Sequence, residues 1–159
     1  MITESLLLRL TMQDLLDRYV AAIDDDRLEE WPGFFTEDCL YEIIPKENED
    51  AGLPAPLLRC DNAAMLRDRV ASLRHANIFE QPIYRHMLSG LVIIDATAET
   101  VHLRCGYMVI NTSLEGNTSV YQAGIYRDRV VLRDGAWRFA EKRVIYDTAR
   151  VQTLLAYPI

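Results

Sequence analysis

The feature that most constrains this chain is the dipeptide Asp134–Gly135 together with the long alternating runs on either side of it. A two-residue type I′ hairpin needs positive φ at both central residues, and Asp-Gly supplies them cheaply. Such a turn sets Leu132 opposite Trp137 and Val130 opposite Phe139, an apolar–aromatic ladder. After Phe139 the apolar positions move to Ala140, Val144 and Tyr146, a change of parity that predicts a bulge. Upstream, residues 84–95, 101–111 and 118–132 read as further strands, separated by Ala96-Thr97-Ala98-Glu99 and Leu114-Glu115-Gly116-Asn117.

The first half reads differently. Thr11 and Asp14 have capping-box spacing, and Met12, Leu15, Leu16, Tyr19, Val20 and Ile23 then recur on one helical face. That helix is expected to stop near Asp24-Asp25-Asp26, because three carboxylates suit the negative end of a helix poorly and suit the start of the next one. A second helix is expected from Arg27 through Phe35, with Pro32 tolerated only in its first turn. Residues 39–44 read as a strand stopped by Pro45, and the charged stretch from Lys46 through Pro56 as an exposed loop able to order against a partner. Leu57-Leu58-Arg59 is a short strand, and Asp61 or Asn62 caps a third helix buried along Leu66, Val70 and Leu73. His75 through Pro82 is a connector.

Helices followed by a long meander make an α+β fold, with residues 1–159 as a single domain. A curved antiparallel sheet wrapped on the N-terminal helices, a cone whose mouth the helices close, buries both apolar sets. The net charge of −7 is uneven: residues 1–50 carry 14 acidic and 4 basic side chains. An acidic surface repels phosphate backbones and argues against nucleic acid. No apolar run reaches membrane-spanning length, and Leu6-Leu7-Leu8 is too short for a signal core, which points to the cytoplasm. Cys39, Cys60 and Cys105 are odd in number and widely spaced, as reduced core thiols are.

Chemistry has few places to reside. If the first hairpin turns between Thr97 and Ala98, His86 faces Val109 and His102 faces Ile93. His86 then shares a face with Leu88, Val92, Leu103 and Tyr107, and His102 shares the other with Arg85, Asp95 and Arg104. Two histidines on opposite faces cannot ligate one metal. No C-x-H or C-x-x-H pair, phosphate-binding glycine loop or nucleophile elbow occurs. The chain is therefore read as holding no cofactor and no metal, with the three adjacent aspartates as a solvated helix junction. One catalytic reading survives: Tyr19, Asp24, Tyr41 and His86 facing the inside of the cone as an acid–base set for isomerisation or dehydration. A third reading is a pocket that binds a small ligand without turnover.

Read in order, Asp25-Asp26-Arg27-Leu28-Glu29-Glu30-Trp31, Phe34-Phe35-Thr36-Glu37-Asp38, Tyr84-Arg85-His86-Met87-Leu88-Ser89 and Asp134-Gly135-Ala136-Trp137-Arg138-Phe139 with Arg143 resemble the small (beta) subunit of aromatic-ring-hydroxylating dioxygenases. The resemblance spans nearly the whole chain; the length and the short loop after Lys46 are similar to those of small subunits acting with terephthalate, anthranilate or salicylate oxygenases. It implies a cystatin-like, NTF2-like cone and a non-catalytic role in an α3β3 terminal oxygenase acting on an aromatic carboxylic acid. The partner α subunit would hold a Rieske [2Fe–2S] cluster and mononuclear Fe(II), other β subunits would complete a trimer, and a ferredoxin or reductase would act only indirectly. Arg85, Arg104, Arg143 and Lys46 are then the expected interface residues, Arg being favoured where charges set register between subunits. Which aromatic acid reacts, and whether one or two hydroxyls are added, would be decided in the partner.

Overall fold

The computed structural model describes residues 2–75, 83–147 and 156–159. Helix α1 spans Ile2–Asp24, a 3-10 helix spans Leu28–Phe34, and β1 spans Phe35–Pro45. Short α2 (Lys46–Asp50), β2 (Leu58–Cys60) and α3 (Ala63–His75) follow. Four long strands complete the chain: β3 (Ile83–Ala96), β4 (Thr100–Thr112), β5 (Thr118–Arg133) and β6 (Ala136–Tyr146). Of the expected connector, residues 76–82 lie outside the described part.

The strands form one open sheet in the order β2-β1-β6-β5-β4-β3. β3 to β6 are the antiparallel meander that the turns predict, but β1 lies parallel to β6, so the sheet is mixed rather than wholly antiparallel. Parallel neighbours need a long crossover, and everything from α2 to β5 serves as one. Asp134 and Gly135 have φ of 51° and 75°, and Leu132 pairs with Trp137 and Val130 with Phe139 as read. The bulge predicted after Phe139 falls at Ala140, between Val130↔Phe139 and Arg129↔Glu141.

Two bulges on β3 alter the first-hairpin register. His86 does face Val109, but His102 faces Asp95 and Ile93 faces Leu103. The first bulge surrounds Gly90 (φ 63°), where a left-handed backbone favours glycine. It turns Leu91 inward and leaves Val92 on the convex face, reversing the expected placement of Val92. The two histidines still point to opposite faces.

Helix α1 begins nine residues before Thr11, whose hydroxyl donates to the carbonyl of Leu7 at 2.8 Å instead of capping anything. The three aspartates close this helix and do not cap the next. Asp26 takes a left-handed φ of 56°, its N–H reaching Ile23 and that of Arg27 reaching Ala22, a Schellman closure. The three are not one solvated junction, since each has its own partner: Asp24 turns inward to His86, Asp25 reaches Arg27, and Asp26 is bound at 2.9 Å by Arg74 of α3, which also binds Glu29 at 2.7 Å. The next segment accommodates Pro32 in its interior because it is 3-10 and not α-helical. Asn62 does cap α3, accepting the Met65 N–H at 3.0 Å.

Met12, Leu15, Leu16, Tyr19 and Ile23 of α1 pack into the concave face of the sheet. The Tyr19 ring meets Phe34, Phe35, Tyr126 and Phe139 edge-on at 5.4–6.4 Å. β3 is an edge strand, and α1 secures it at two points. Arg9 donates to the Leu91 carbonyl at 2.8 Å, and the Asp24 carboxylate accepts the His86 N–H at 2.8 Å.

Candidate functional site

The four residues of the acid–base reading fall into two separate groups. Tyr19 and Tyr41, both fully buried, hold the main chain of Ile159. Tyr19 donates its O–H to the Ile159 oxygen at 2.9 Å and accepts the Trp31 indole N–H at 3.3 Å. Tyr41 donates to the same oxygen at 3.3 Å and accepts the Ile159 N–H at 3.0 Å. Burial pushes both phenols well above their ordinary range, so neither is an available base. Their hydroxyls are committed to holding the chain in place.

Asp24 and His86 form the second group. The His86 side chain is completely buried, and its Nδ1–H donates to Asp24 Oδ1 at 2.6 Å while Oδ2 takes the backbone N–H of the same residue. A carboxylate only accepts, so this bond places a ring hydrogen on Nδ1. Nε2 has no partner among the described residues.

A third constellation was not singled out from the sequence. Lys142 and Asp128 pair across β6 and β5 at 3.0 Å, both sealed from solvent. The ammonium lies 3.5 Å from the Tyr126 ring centroid and 4.5–4.6 Å from those of Tyr19 and Phe139. Burial raises the Asp128 carboxyl to about 6, against the pull of Lys142, and lowers the Lys142 amine. The signal was present: Lys142 alternates with Ala140 and Val144, and Asp128 with Tyr126 and Val130. A charge on the apolar parity of two adjacent strands predicts a buried pair.

The convex face carries the expected interface residues. One row crosses the sheet as Arg59–Glu42–Arg143–Arg127–Arg104. Arg143 is engaged within the chain: it binds Glu42 at 2.7 Å and Glu49 of α2 at 2.5 Å, holding that helix on the sheet. Lys46 pairs with Asp50 one turn on, so the segment after Pro45 begins as a helix and not as open loop. Arg85 and Arg104 are exposed and make no hydrogen bond or ion pair among the described residues. Among those residues there is also no group of three or more His, Cys, Asp or Glu side chains placed to hold a metal. No helix among them is long and apolar enough to cross a membrane.

A bulged open sheet curled around one long helix defines the NTF2-like cone, and a SnoaL-like domain model matches residues 4–143. The anthranilate 1,2-dioxygenase small subunit of Burkholderia cepacia is 55% identical over 145 residues, covering 91% of this chain and 90% of its own. The beta 2 subunit of the terephthalate 1,2-dioxygenase terminal oxygenase component of Comamonas sp is 37% identical, covering 89% and 92%. Among solved structures, the beta subunit of a candidate aromatic-ring-hydroxylating dioxygenase from Novosphingobium aromaticivorans superposes with a TM-score of 0.89 at 41% identity, covering 98% of this chain and 99% of that one. The chain belongs to the small (beta) subunits of aromatic-ring-hydroxylating dioxygenases, as its ordered motifs suggest.

Proposed function

We propose that this chain is the structural small subunit of a terminal oxygenase acting on an aromatic carboxylic acid, working in the cytoplasm as part of an α3β3 assembly. A large α subunit carries the Rieske [2Fe–2S] cluster and the mononuclear Fe(II), and receives electrons from a ferredoxin or reductase that does not touch this chain. The observation that carries the non-catalytic reading is the use of Tyr19 and Tyr41 to bind the Ile159 main chain. Two of the four acid–base candidates are thereby committed to structure. The high identity to an anthranilate oxygenase small subunit supports an aromatic carboxylate as the substrate of the whole assembly. Arg85 and Arg104 are the interface cations with capacity to spare, while Arg143 and Lys46 act through α2.

Co-expression tests this reading. Made alone, the chain is expected to be colourless and without oxygenase activity; made with its large subunit, it is expected to co-elute with a brown, active complex. Arg85→Glu with Arg104→Glu should weaken that association and leave the isolated chain folded. Turnover of an aromatic acid by the isolated chain would overturn the proposal.

A further inference from the structure

We infer that two copies of this chain meet by laying the exposed start of α1 of one copy on the convex face of β3, β4 and β5 of the other. Such a contact deepens the proposed assembly by naming where one small subunit meets the next. A ring of three copies rests on that reading, whereas the contact rests on the two surfaces themselves.

The first surface is the convex side of the sheet. Strand alternation places Ile110 between Arg85 and Val120, and Met108 beside Met87, in two adjacent rows. Ile83, Met87 and Val120 are 49–53% exposed there, and contiguous apolar side chains are seldom left open on a monomer. Two rows further along β4 stands Arg104, directly opposite Arg127, with Arg143 beyond it. Like charges abreast on a sheet repel, and Glu49 of α2 answers only Arg127 and Arg143. Arg104 is exposed and has no ion pair among the described residues.

The second surface is the start of α1. Its core face begins with Leu8 and Met12, so Leu6, Leu7 and Leu10 point outward and are 53–64% exposed. With about 3.6 residues per turn, Leu6, Leu10 and Asp17 fall on one line along the helix. Asp17 accepts the Gln13 amide N–H at 2.9 Å and has no cation partner among the described residues. Both surfaces are thus apolar at one end and charged at the other, with opposite signs. The spacings agree: Asp17 lies about 13 Å from the middle of the Leu6–Leu10 pair along a helix, and Arg104 about 13 Å from Met108 along a strand. A helix laid antiparallel to β4 buries its leucines on the Met108 and Ile110 rows as Asp17 reaches Arg104. Because the two surfaces are different parts of one molecule, the contact is heterologous, and a closed ring uses both surfaces of every copy. The competing occupant is the large subunit.

The test uses the full chain, made alone. Sedimentation velocity should show a species larger than the 18.3 kDa monomer. Leu6→Glu with Leu10→Glu should return it to monomer with unchanged circular dichroism, since both side chains are exposed. An equimolar mixture of Leu10→Cys and Met87→Cys chains should form an interchain disulfide with an added oxidant, and Leu10→Cys chains alone should not; Cys39, Cys60 and Cys105 are buried. This measurement serves if the glutamate variant fails to fold. Arg104→Asp should weaken association about 10-fold, and Asp17→Arg in the same chain should restore it. A monomeric wild-type chain, or an oligomer untouched by the glutamate variant, overturns the inference and leaves the large subunit as the occupant. A disulfide formed as readily by Leu10→Cys chains alone also overturns it, in favour of a symmetric contact. None of these results turns on co-elution with a large subunit or on oxygenase activity, so this contact and the proposed function fail separately.

Discussion

Two buried acid–base pairs sit inside the same cone, and they are built for different ends. Lys142–Asp128 joins side chain to side chain across two central strands that the β-ladder already holds in register. Asp24–His86 joins the end of α1 to an edge strand, and one of its two bonds is to backbone. The central pair therefore adds little that the ladder lacks, whereas the edge pair, with Arg9 and Leu91, links α1 to a strand that has a ladder partner on one side. A buried pair should be judged by what it connects, since its electrostatic gain is largely offset by desolvation.

Substitution at the central pair should give the largest effect. Lys142→Met alone strands a buried carboxylate and is expected to cost about 3–5 kcal/mol in chemical unfolding. Lys142→Met combined with Asp128→Leu should return to near wild-type stability or exceed it, since apolar replacement of a whole buried pair is often neutral or stabilising. A double variant as unstable as the single one would show that the pair does more than fill the core.

The edge pair should not be rescued in this way. With Asp24→Leu and His86→Leu together, the backbone N–H at position 86 still has no acceptor, a deficit of about 1–3 kcal/mol. Hydrogen exchange should report it directly, with faster exchange of the residue 86 amide than in the wild type. Full recovery of stability and protection would erase the contrast drawn between the two pairs.

The subtlest separation is in pH dependence. Burial holds the Asp128 carboxyl near 6, above its unfolded value of about 4, so the native state retains a proton that the unfolded chain releases between those values. The Asp128 contribution to stability is thus full below about pH 4 and is lost as pH rises toward 6. Asp128→Asn should remove that falling segment, by at most about 1.4 kcal/mol per pH unit. An unchanged pH profile in this variant would show that Asp128 is not buried as described.

Much of the sheet was legible because its signals are local. Asp134–Gly135 dictates positive φ through side-chain sterics alone, and the shift to Ala140 and Val144 marks the bulge between β5 and β6. The β3 bulges left no such trace, since Leu91-Val92-Ile93-Ile94 is apolar at every position and offers no parity to read. The start of α1 was missed because Thr11 can bond equally to a helix start or back to Leu7, and only the presence of the preceding turns decides. The site was half legible. His86 and Asp24 were named together with Tyr19 and Tyr41, but partners 62, 140 and 118 residues apart in sequence sort them into two groups.

By itself, then, the sequence determined the order of the long elements, the antiparallel meander, the opposite faces of His86 and His102, and the family. All of these rest on turn sterics, on side-chain alternation or on motif order, which act within a few residues or survive without coordinates. Only the tertiary structure decided that β1 joins β6 in parallel, that Lys142 is caged with Asp128, and that Asp24 fastens the edge strand. Those outcomes depend on which surfaces meet once a bulged sheet curls around α1, and desolvation and hydrogen-bond satisfaction become definite only in that packed state.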